Sequence, residues 1–239
     1  MRMRPEKVGM NARKVYKHLF KKYGPQGWWP LCHSDRAKRV EESLFEIAVG
    51  AILTQSTAWR NVAVAIANLD KAKALTPKAI IKMPKARLCK LIKPAGYFNQ
   101  KCKKLKIFAK WLMENCGGDV LSLRGAKRRS NPLEIRNKLL SIWGIGKETA
   151  DSIILYALNK PIFVIDAYTR RLCAKFSIKF KEYDEYREFF EMSLRGAQRR
   201  SNPKRLSRGL LRPDGLAMTY QEYHALIVAS GKDKHKYVL

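Results

Sequence analysis

Residues 139–150 read LLSIWGIGKETA, a pattern that predicts a helix, a tight turn and a second helix. Gly144 and Gly146 let the backbone turn sharply and leave its N–H groups uncovered by a Cβ. Ile145 can pack between the two helices and fix how they cross. The second helix begins near Lys147, so its free N–H groups and its positive dipole end meet at the turn. A helix start of this kind binds phosphate and reads no base.

The rest of the chain also has a helical pattern. Its apolar residues recur with a helical period and show none of the sustained alternation that is typical of strands. Predicted helices cover residues 11–23, 39–53, 61–69, 77–82, 85–92, 98–114, 132–142, 147–158, 166–175, 183–192 and 220–229. The apolar stretch Pro161–Ile165 is too isolated to form a sheet, and we interpret it as a buried connector between two helices. The sequence therefore predicts an all-α fold.

The charge balance indicates a polyanion as partner. Lys and Arg number 49 against 20 Asp and Glu, which gives a formal net charge of +29. Nucleic acid is the simplest polyanion that fits, and an anionic membrane fits less well because no long basic amphipathic helix is present. No apolar run approaches the roughly 18 residues of a membrane helix, and the N-terminus lacks the apolar stretch of a secretory signal. We therefore expect a soluble, cytoplasmic monomer that associates with the nucleoid through DNA.

The five cysteines argue against a disulfide scaffold and against a metal site. They are odd in number, scattered, and nowhere spaced as CxxC. A zinc or iron–sulfur site needs a closer and more regular spacing of its ligands.

An eleven-residue segment occurs twice. Residues 122–132 read SLRGAKRRSNP and residues 193–203 read SLRGAQRRSNP, so that Lys127 is replaced by Gln198 in the second copy. Two copies in dissimilar surroundings do not make a solenoid, which needs at least three units. We interpret them as insertions over residues 122–132 and 193–219, and we predict that both form exposed, mobile loops.

Two stretches resemble one family of DNA repair enzymes. Residues 142–176, IWGIGKETADSIILYALNKPIFVIDAYTRRLCAKF, resemble the helix-hairpin-helix DNA glycosylases of the endonuclease III superfamily, in which a hairpin of form LPGVGxxTA precedes an apolar connector ending in VD. Residues 44–57, LFEIAVGAILTQST, resemble the family's earlier helix and wedge loop. The resemblance implies that Asp166 is the catalytic aspartate and that Gln55 fills the gap left by an extruded base. It also implies DNA contacts by Gly144, Ile145, Gly146, Lys147 and Thr149.

The resemblance covers nearly the whole chain outside the insertions, and it implies two helical domains with a DNA-binding cleft between them. We expect a central domain of residues 39–159, which carries the first insertion. Residues 1–38 and 160–239 should form a terminal domain, which carries the second.

The chain departs from the bifunctional members of the family at Glu148. Those members carry a lysine nucleophile directly before the Thr of the second helix, where this chain has Glu148. Lys147 is adjacent, but one step along a helix turns a side chain by about 100°, away from the sugar. Without an amine to form a Schiff base, β-elimination at an abasic site lacks its nucleophile. We therefore expect a monofunctional glycosylase that uses water.

A second departure concerns the cofactor. Many relatives continue past a HALIVxHGxxxC segment into four cysteines that hold a [4Fe–4S] cluster. This chain reads YHALIVASGKDKHKYVL at residues 223–239 and has no cysteine after Cys173. We expect no cluster and no other cofactor.

The tryptophans resemble those of one particular branch of this family. Trp28, Trp29 and Pro30, together with Trp59, resemble the pocket of the cluster-less 3-methyladenine glycosylase branch found in Helicobacter, where a Trp-Pro pair and a later aromatic residue sandwich the flipped purine. In that branch the lysine that corresponds to Lys232 is buried or modified. One of Trp28 and Trp29 should pack and the other face the base, and the sequence leaves open which one does.

The resemblance implies that the damaged nucleotide is flipped out of the duplex into a pocket, where its base is released. A purine alkylated at N3 is cationic, so cation–π attraction to Trp29 and Trp59 would favour it. Asp166, as a carboxylate, would stabilise the oxocarbenium-like sugar and orient water toward C1′. Glu148 is a candidate for hydrogen bonding to the base or for holding water in the pocket.

Alternatives stay open at this point. The chain could be an endonuclease III-type glycosylase and lyase acting on oxidised pyrimidines, which Glu148 disfavours, or a DNA-binding protein without catalysis. Asp166 could be the N-cap of a helix that begins at Ala167. The tryptophans could pack in the core, and Lys232 could be an ordinary surface lysine.

Overall fold

The computed structural model describes residues 10–31, 40–124, 131–199 and 213–233. Within these ranges all regular secondary structure is helical, which confirms the all-α prediction, and none of the helices is both long and apolar enough to cross a bilayer. The α-helices are α1 (Ala12–Tyr23), α2 (Val40–Leu53), α3 (Trp59–Lys71), α4 (Pro77–Lys82), α5 (Lys85–Ile92), α6 (Phe98–Cys116), α7 (Pro132–Leu140), α8 (Lys147–Ser152), α9 (Ala167–Lys175), α10 (Tyr183–Arg199) and α11 (Pro213–Lys232).

Local capping explains where several helices begin. The side chains of Asn11, Thr76 and Asn131 accept hydrogen bonds from the first turns of α1, α4 and α7. Proline follows at the first helical position of α4 and α7, where its missing N–H costs nothing. These are short-range effects, and the predicted starts of these helices agree with the structure to within one residue.

The ends of the insertions are not the exposed loops that the sequence predicted. In the first insertion Leu123 is buried and the Arg124 guanidinium donates to the Leu158 carbonyl. In the second, residues 193–199 continue α10 and residues 213–219 form the beginning of α11. The prediction was wrong there because the repeat carries a leucine in each copy, and both Leu123 and Leu194 are buried. Residues 125–130 and 200–212 lie outside the described part of the chain.

The chain divides into two compact units. The central unit comprises Trp29–Leu158, and the terminal unit combines Met1–Trp28 with Asn159–Leu239. The first boundary therefore follows Trp28, whereas the sequence-based division put it after residue 38.

The central unit is built around α2, whose residues Phe45–Leu53 are almost all inaccessible to solvent. Phe45 stacks on Phe108 of α6, with ring centroids 6.2 Å apart and planes 10° from parallel. The predicted helix 147–158 is divided here, because α8 ends at Ser152 and a π-helical turn, Ile153–Ala157, follows it and packs against α2.

The terminal unit contains the apolar connector, and its prediction as a buried, non-strand segment is confirmed. Residues 162–165 are buried and have no regular secondary structure. The N–H of Phe163 donates to Oε1 of Glu191 at 3.0 Å, and the N–H of Ile165 donates to the Tyr183 hydroxyl at 3.1 Å. Side chains of α10 thus satisfy backbone groups that a sheet would otherwise pair. The Phe163 ring stacks on Phe190 at 4.5 Å.

A buried ion pair holds α7 against α8. The Arg136 guanidinium donates to both carboxylate oxygens of Asp151, at 2.7 and 3.3 Å, and the Asp151 side chain is fully buried. We expect Asp151→Asn to lower the free energy of unfolding by about 3–5 kcal/mol, because it removes the buried negative charge that the Arg136 guanidinium contacts. The double variant Arg136→Met/Asp151→Leu should regain much of that loss. Urea denaturation followed by circular dichroism measures both.

The matched control for this prediction is the exposed pair of Lys110 and Glu114 on α6, at 3.7 Å. Glu114→Gln should change the unfolding midpoint little, since exposed pairs contribute about 0–1 kcal/mol. Equal effects of Asp151→Asn and Glu114→Gln would contradict the prediction.

Candidate functional site

The residues that the sequence singled out fall into two groups, one in each unit. Asp166, Trp28 and Lys232 belong to the terminal unit. The hairpin, Gln55, Trp29 and Trp59 belong to the central unit.

Asp166 stands where the buried connector ends and α9 begins. Its Oδ1 accepts hydrogen bonds from the backbone N–H of Thr169 at 2.7 Å and from the Thr169 hydroxyl at 2.9 Å. The N-cap role is therefore confirmed. These bonds use one carboxylate oxygen, so capping leaves Oδ2 for another role.

The second oxygen faces a histidine that the sequence analysis did not connect with it. Oδ2 of Asp166 lies 3.6 Å from Nε2 of His224, which is buried in α11. The side chain of Asp166 keeps 13% of its surface exposed, whereas His224 keeps 6%. The available signal was a histidine within the apolar run YHALIV of a helix, a position that faces the core.

This environment favours the ionised form of Asp166. Burial by itself would raise the pKa of the carboxyl group, but the nearby His224 and the two hydrogen bonds from Thr169 outweigh it, so that the pKa lies below its ordinary value. The terminal unit therefore holds a charged, oriented carboxylate at neutral pH.

Trp28 and Lys232 complete this group. The Trp28 ring meets the imidazole of His224 edge to face, with centroids 5.9 Å apart. Nζ of Lys232 lies 5.8 Å from the centroid of the Trp28 ring. Lys232 is exposed, so the buried position carried over from the resemblance is wrong for this chain. Pro30 is exposed as well.

In the central unit the hairpin has the geometry that its glycines predict. Gly144 has a φ of +89°, and Gly146 adopts an extended conformation directly before α8. Ile145 is buried, in agreement with its predicted packing role. Of the two glycines, Gly144 is the one whose backbone conformation requires the absence of a side chain.

Gln55 is bonded to the hairpin. Its Nε2 donates to the carbonyl oxygen of Gly144 at 3.2 Å and to the hydroxyl of Thr149 at 2.9 Å, and its Oε1 accepts from Nζ of Lys104. Thr149 is buried, and its hydroxyl positions Gln55 by accepting this hydrogen bond. The turn that follows α2 is thus fixed to the hairpin.

Lys101 also stabilises the turn that follows α2, and the sequence analysis did not single this residue out. It is buried in α6, and its ammonium group donates to the carbonyls of Leu53 at 2.9 Å and Ala95 at 2.7 Å. Burial and the nearby Lys104 lower the pKa of Lys101 to about 8. Its contact with Leu53 fixes the end of α2, two residues before Gln55.

Trp29 and Trp59 contact each other instead of forming parallel walls. Their ring centroids are 5.1 Å apart and their planes 86° from parallel. Trp29 also contacts Tyr156, with centroids 5.0 Å apart, and it packs closely on Gly50, where a Cβ would lie 3.1 Å from the indole. The predicted cation–π contact of one base with both Trp29 and Trp59 is not supported by this arrangement, because the edge of one ring packs against the face of the other.

Glu148 and Lys147 occupy the first turn of α8. Glu148 is exposed and Lys147 is partly exposed. A carboxylate at this position interacts favourably with the positive end of the helix dipole.

Comparison with known proteins identifies a family. The profile of the HhH-GPD superfamily of base excision DNA repair proteins matches residues 49–194. A protein of Methanocaldococcus jannaschii that is provisionally named a DNA repair glycosylase is 42% identical over 217 residues, which cover 90% of this chain and 84% of that protein. The endonuclease III of Thermotoga maritima is 26% identical over 132 residues, 55% of this chain and 56% of that enzyme.

Solved structures give the same result for the fold. The 3-methyladenine DNA glycosylase MagIII of H. pylori, bound to 1,N6-ethenoadenine, superposes with a TM-score of 0.76 at 26% identity, and the match covers 95% of this chain and all of that one. An endonuclease III in a non-covalent complex with DNA gives a TM-score of 0.65 at 14% identity, covering 99% of this chain and 91% of that one.

The two hairpin glycines predict different responses to substitution. At Gly144 a Cβ would lie 2.6 Å from Cγ of Lys104, and its φ is positive, whereas nothing lies within 4 Å of a Cβ at Gly146. We expect Gly144→Ala to destabilise the protein by roughly 1–3 kcal/mol and Gly146→Ala to have little effect on stability. Thermal unfolding of the two variants, side by side, checks this, and a larger loss for Gly146→Ala would be inconsistent with the structure.

The N-cap and the charge of Asp166 can be separated by stability measurements. Asp166→Ala removes the cap and should cost about 1 kcal/mol, whereas Asp166→Asn keeps an acceptor oxygen. The lowered pKa means that the charge stabilises the fold above the unfolded-state pKa of about 3.9, and that this contribution is lost as the pH falls through the folded-state pKa. The stability gap between wild type and Asp166→Asn should therefore be present near pH 7 and close in acid. If the difference in stability between wild type and Asp166→Asn persisted unchanged below about pH 3, the stabilising role of the Asp166 charge would be disproved.

Proposed function

This chain belongs to the HhH-GPD superfamily of base excision DNA repair proteins, and we propose that within this superfamily of DNA glycosylases it is a monofunctional enzyme that releases an alkylated purine such as 3-methyladenine. The similarity to the H. pylori 3-methyladenine DNA glycosylase over nearly the whole chain supports this substrate class. The substrate is then double-stranded DNA that contains a damaged base.

The observation that carries the proposal is the state of Asp166. The carboxylate is ionised, held by Thr169 through one oxygen, and directed toward His224 with the other. A negative charge that is already oriented stabilises a developing positive charge without reorganisation at the moment of reaction. Asp166 also occupies the position that matches the family's catalytic aspartate.

The proposed reaction needs a carboxylate and water. In a purine alkylated at N3 the base is cationic, so the C1′–N bond breaks with its electron pair going to the base, which leaves neutral. The sugar becomes oxocarbenium-like, and the Asp166 carboxylate stabilises it electrostatically. Water adds to C1′ and gives up a proton, which completes hydrolysis. No strong general acid is required, because the leaving group needs no proton.

Trp28 is the aromatic side chain that we assign to the base. It lies beside His224, which itself adjoins the Asp166 carboxylate, and all three belong to the terminal unit. Trp29 is occupied by its contacts with Trp59 and Tyr156. A cationic purine over the Trp28 ring would gain about 2 kcal/mol or more when desolvated, which selects for alkylated bases.

Glu148 supports hydrolysis without lyase chemistry. It occupies the position at which bifunctional relatives carry a lysine, and a carboxylate forms no Schiff base. Gly144, Gly146 and Lys147 would contact phosphate at the start of α8. We further propose that the enzyme works without an iron–sulfur cluster, so that the purified protein should show no charge-transfer absorption in the visible range.

Base release from methylated duplex DNA tests the proposal. We expect wild type to release 3-methyladenine, and Asp166→Asn to slow single-turnover release by at least about a hundredfold, because the neutral amide does not stabilise the sugar cation. Asp119 is the matched control, since its carboxylate also caps a short helical turn, by accepting from the N–H groups of Leu121 and Ser122. Asp119→Asn should release base at the wild-type rate.

Other outcomes separate the alternatives. Strand scission at an abasic site, with a protein–DNA adduct trapped by borohydride, would establish lyase activity and overturn the monofunctional assignment. Equal release by wild type and Asp166→Asn would remove Asp166 from the mechanism. Tight, salt-dependent DNA binding without release of any base would favour a non-catalytic DNA-binding protein.

A further inference from the structure

A groove with a volume of about 800 Å³ lies next to the hairpin, within the central unit. One wall is α6 and the other includes the hairpin residues Trp143 and Gly144. Its lining is Lys85, Asn99, Gln100, Cys102, Lys103, Lys104, Lys106, Ile107, Trp143 and Gly144. Four lysines and no carboxylate line it, so the groove is strongly electropositive.

The lysines of the groove differ in what they do. The ammonium group of Lys106 donates to the carbonyls of Ile80, Ile81 and Met83, at 2.7–3.1 Å, and so completes the end of α4. Lys104 is bonded to Gln55. Lys85 and Lys103 are exposed, and they are the side chains that can reach an incoming anion.

Lys103 is positioned by an aromatic ring. Its Nζ lies 4.3 Å from the centroid of the Trp143 ring, and Trp143 is 51% exposed. The Trp143 ring is therefore accessible at the edge of the groove, where it contacts the Lys103 ammonium group. The cation–π contact limits the freedom of the ammonium group and keeps it in the groove, which lowers the entropic cost of binding an anion there.

The groove is continuous with the hairpin, because Gly144 belongs to both. Along α6 it extends from residue 99 to residue 107, a length of about 12 Å at 1.5 Å per residue. One DNA strand advances about 3.4 Å per nucleotide along the duplex axis, so this length corresponds to roughly three nucleotides.

We propose that this groove is an accessory DNA-binding site that holds the phosphodiester backbone where it continues past the hairpin, with Lys85 and Lys103 as its phosphate ligands. The inference rests on the DNA binding that the proposed function requires. It adds two phosphate ligands, one on α5 and one on α6, to those of the hairpin. Since phosphate contacts carry no sequence information, the site increases affinity for damaged and undamaged DNA alike.

The salt dependence of DNA binding tests this site. We compare wild type with Lys85→Gln/Lys103→Gln on the same duplex, undamaged or carrying a single 1,N6-ethenoadenine, by fluorescence anisotropy. The slope of log K against log salt concentration is negative, and each phosphate contact makes it steeper by about 0.9. The double variant, which lacks two contacts, should therefore have a slope that is shallower than that of wild type by about two. Between about 50 and 200 mM salt, its affinity should consequently fall about tenfold less than that of wild type.

Two further variants keep the experiment decisive. Lys85→Arg/Lys103→Arg retains both charges and should retain the wild-type slope. Lys110→Gln removes an exposed lysine of the same helix α6, which pairs with Glu114 and does not line the groove, and it should leave the slope nearly unchanged. All variants should remain folded at the assay temperature, because Lys85, Lys103 and Lys110 are exposed.

The outcomes distinguish this inference from the proposed function. If wild type binds DNA and the Gln double variant keeps its slope, or changes no more than Lys110→Gln, the groove is not a DNA site. A loss of affinity confined to the damaged duplex would also overturn the inference, because it would place the lysines in lesion recognition. Absence of DNA binding by wild type would instead refute the proposed function itself.

Discussion

The carboxylate of Asp166 and the first turn of α9 stabilise each other, and the proposed chemistry depends on that mutual support. Oδ1 satisfies the N–H and the hydroxyl of Thr169, and this fixes the side chain with Oδ2 toward His224. On the other side, the connector is held by Glu191 and Tyr183, which accept from its backbone N–H groups. Because both flanks are hydrogen-bonded, the carboxylate is already oriented, and in the proposed reaction this would lower the entropic part of the activation barrier.

The helices could be predicted from the sequence because their signals are local, as the caps at Asn11, Thr76 and Asn131 illustrate. The connector could be predicted from its apolar run. Asp166 and Gln55 could be named as candidate site residues by resemblance, and their roles stay predictions. Their partners could not be predicted. Lys104 meets Gln55 across 49 residues of sequence, and His224 meets Asp166 across an even longer separation. Such pairs are decided by how helices pack, which a hydrophobic period does not specify. For the same reason the perpendicular contact of Trp29 with Trp59 could not be predicted from the sequence.

The repeated segment shows how strongly surroundings determine local structure. Ser122–Arg124 of the first copy lie in a 3₁₀ turn, whereas the corresponding Ser193–Arg195 of the second copy continue an α-helix. The leucine is buried in both copies, so each has kept an anchoring contact in a different backbone conformation. In the first copy the closing Asn131-Pro132 also begins α7. The first copy thus supplies the N-cap of α7, and the same Ser-Leu-Arg sequence adopts two backbone conformations because its tertiary surroundings differ.

The π-helical turn at Ile153–Ala157 has a consequence for comparing this chain with its relatives. The N–H of Leu158 donates to the carbonyl of Ile153, five residues back, so this turn accommodates one residue more than an α-helical turn would. A π-turn is how a helix absorbs a single-residue insertion while the residues on either side keep their orientation. A relative whose helix is regular here would therefore be one residue shorter between hairpin and aspartate. Alignments that count positions from the glycines would then pair the wrong side chain with Asp166, whereas superposition of α9 would pair the right one.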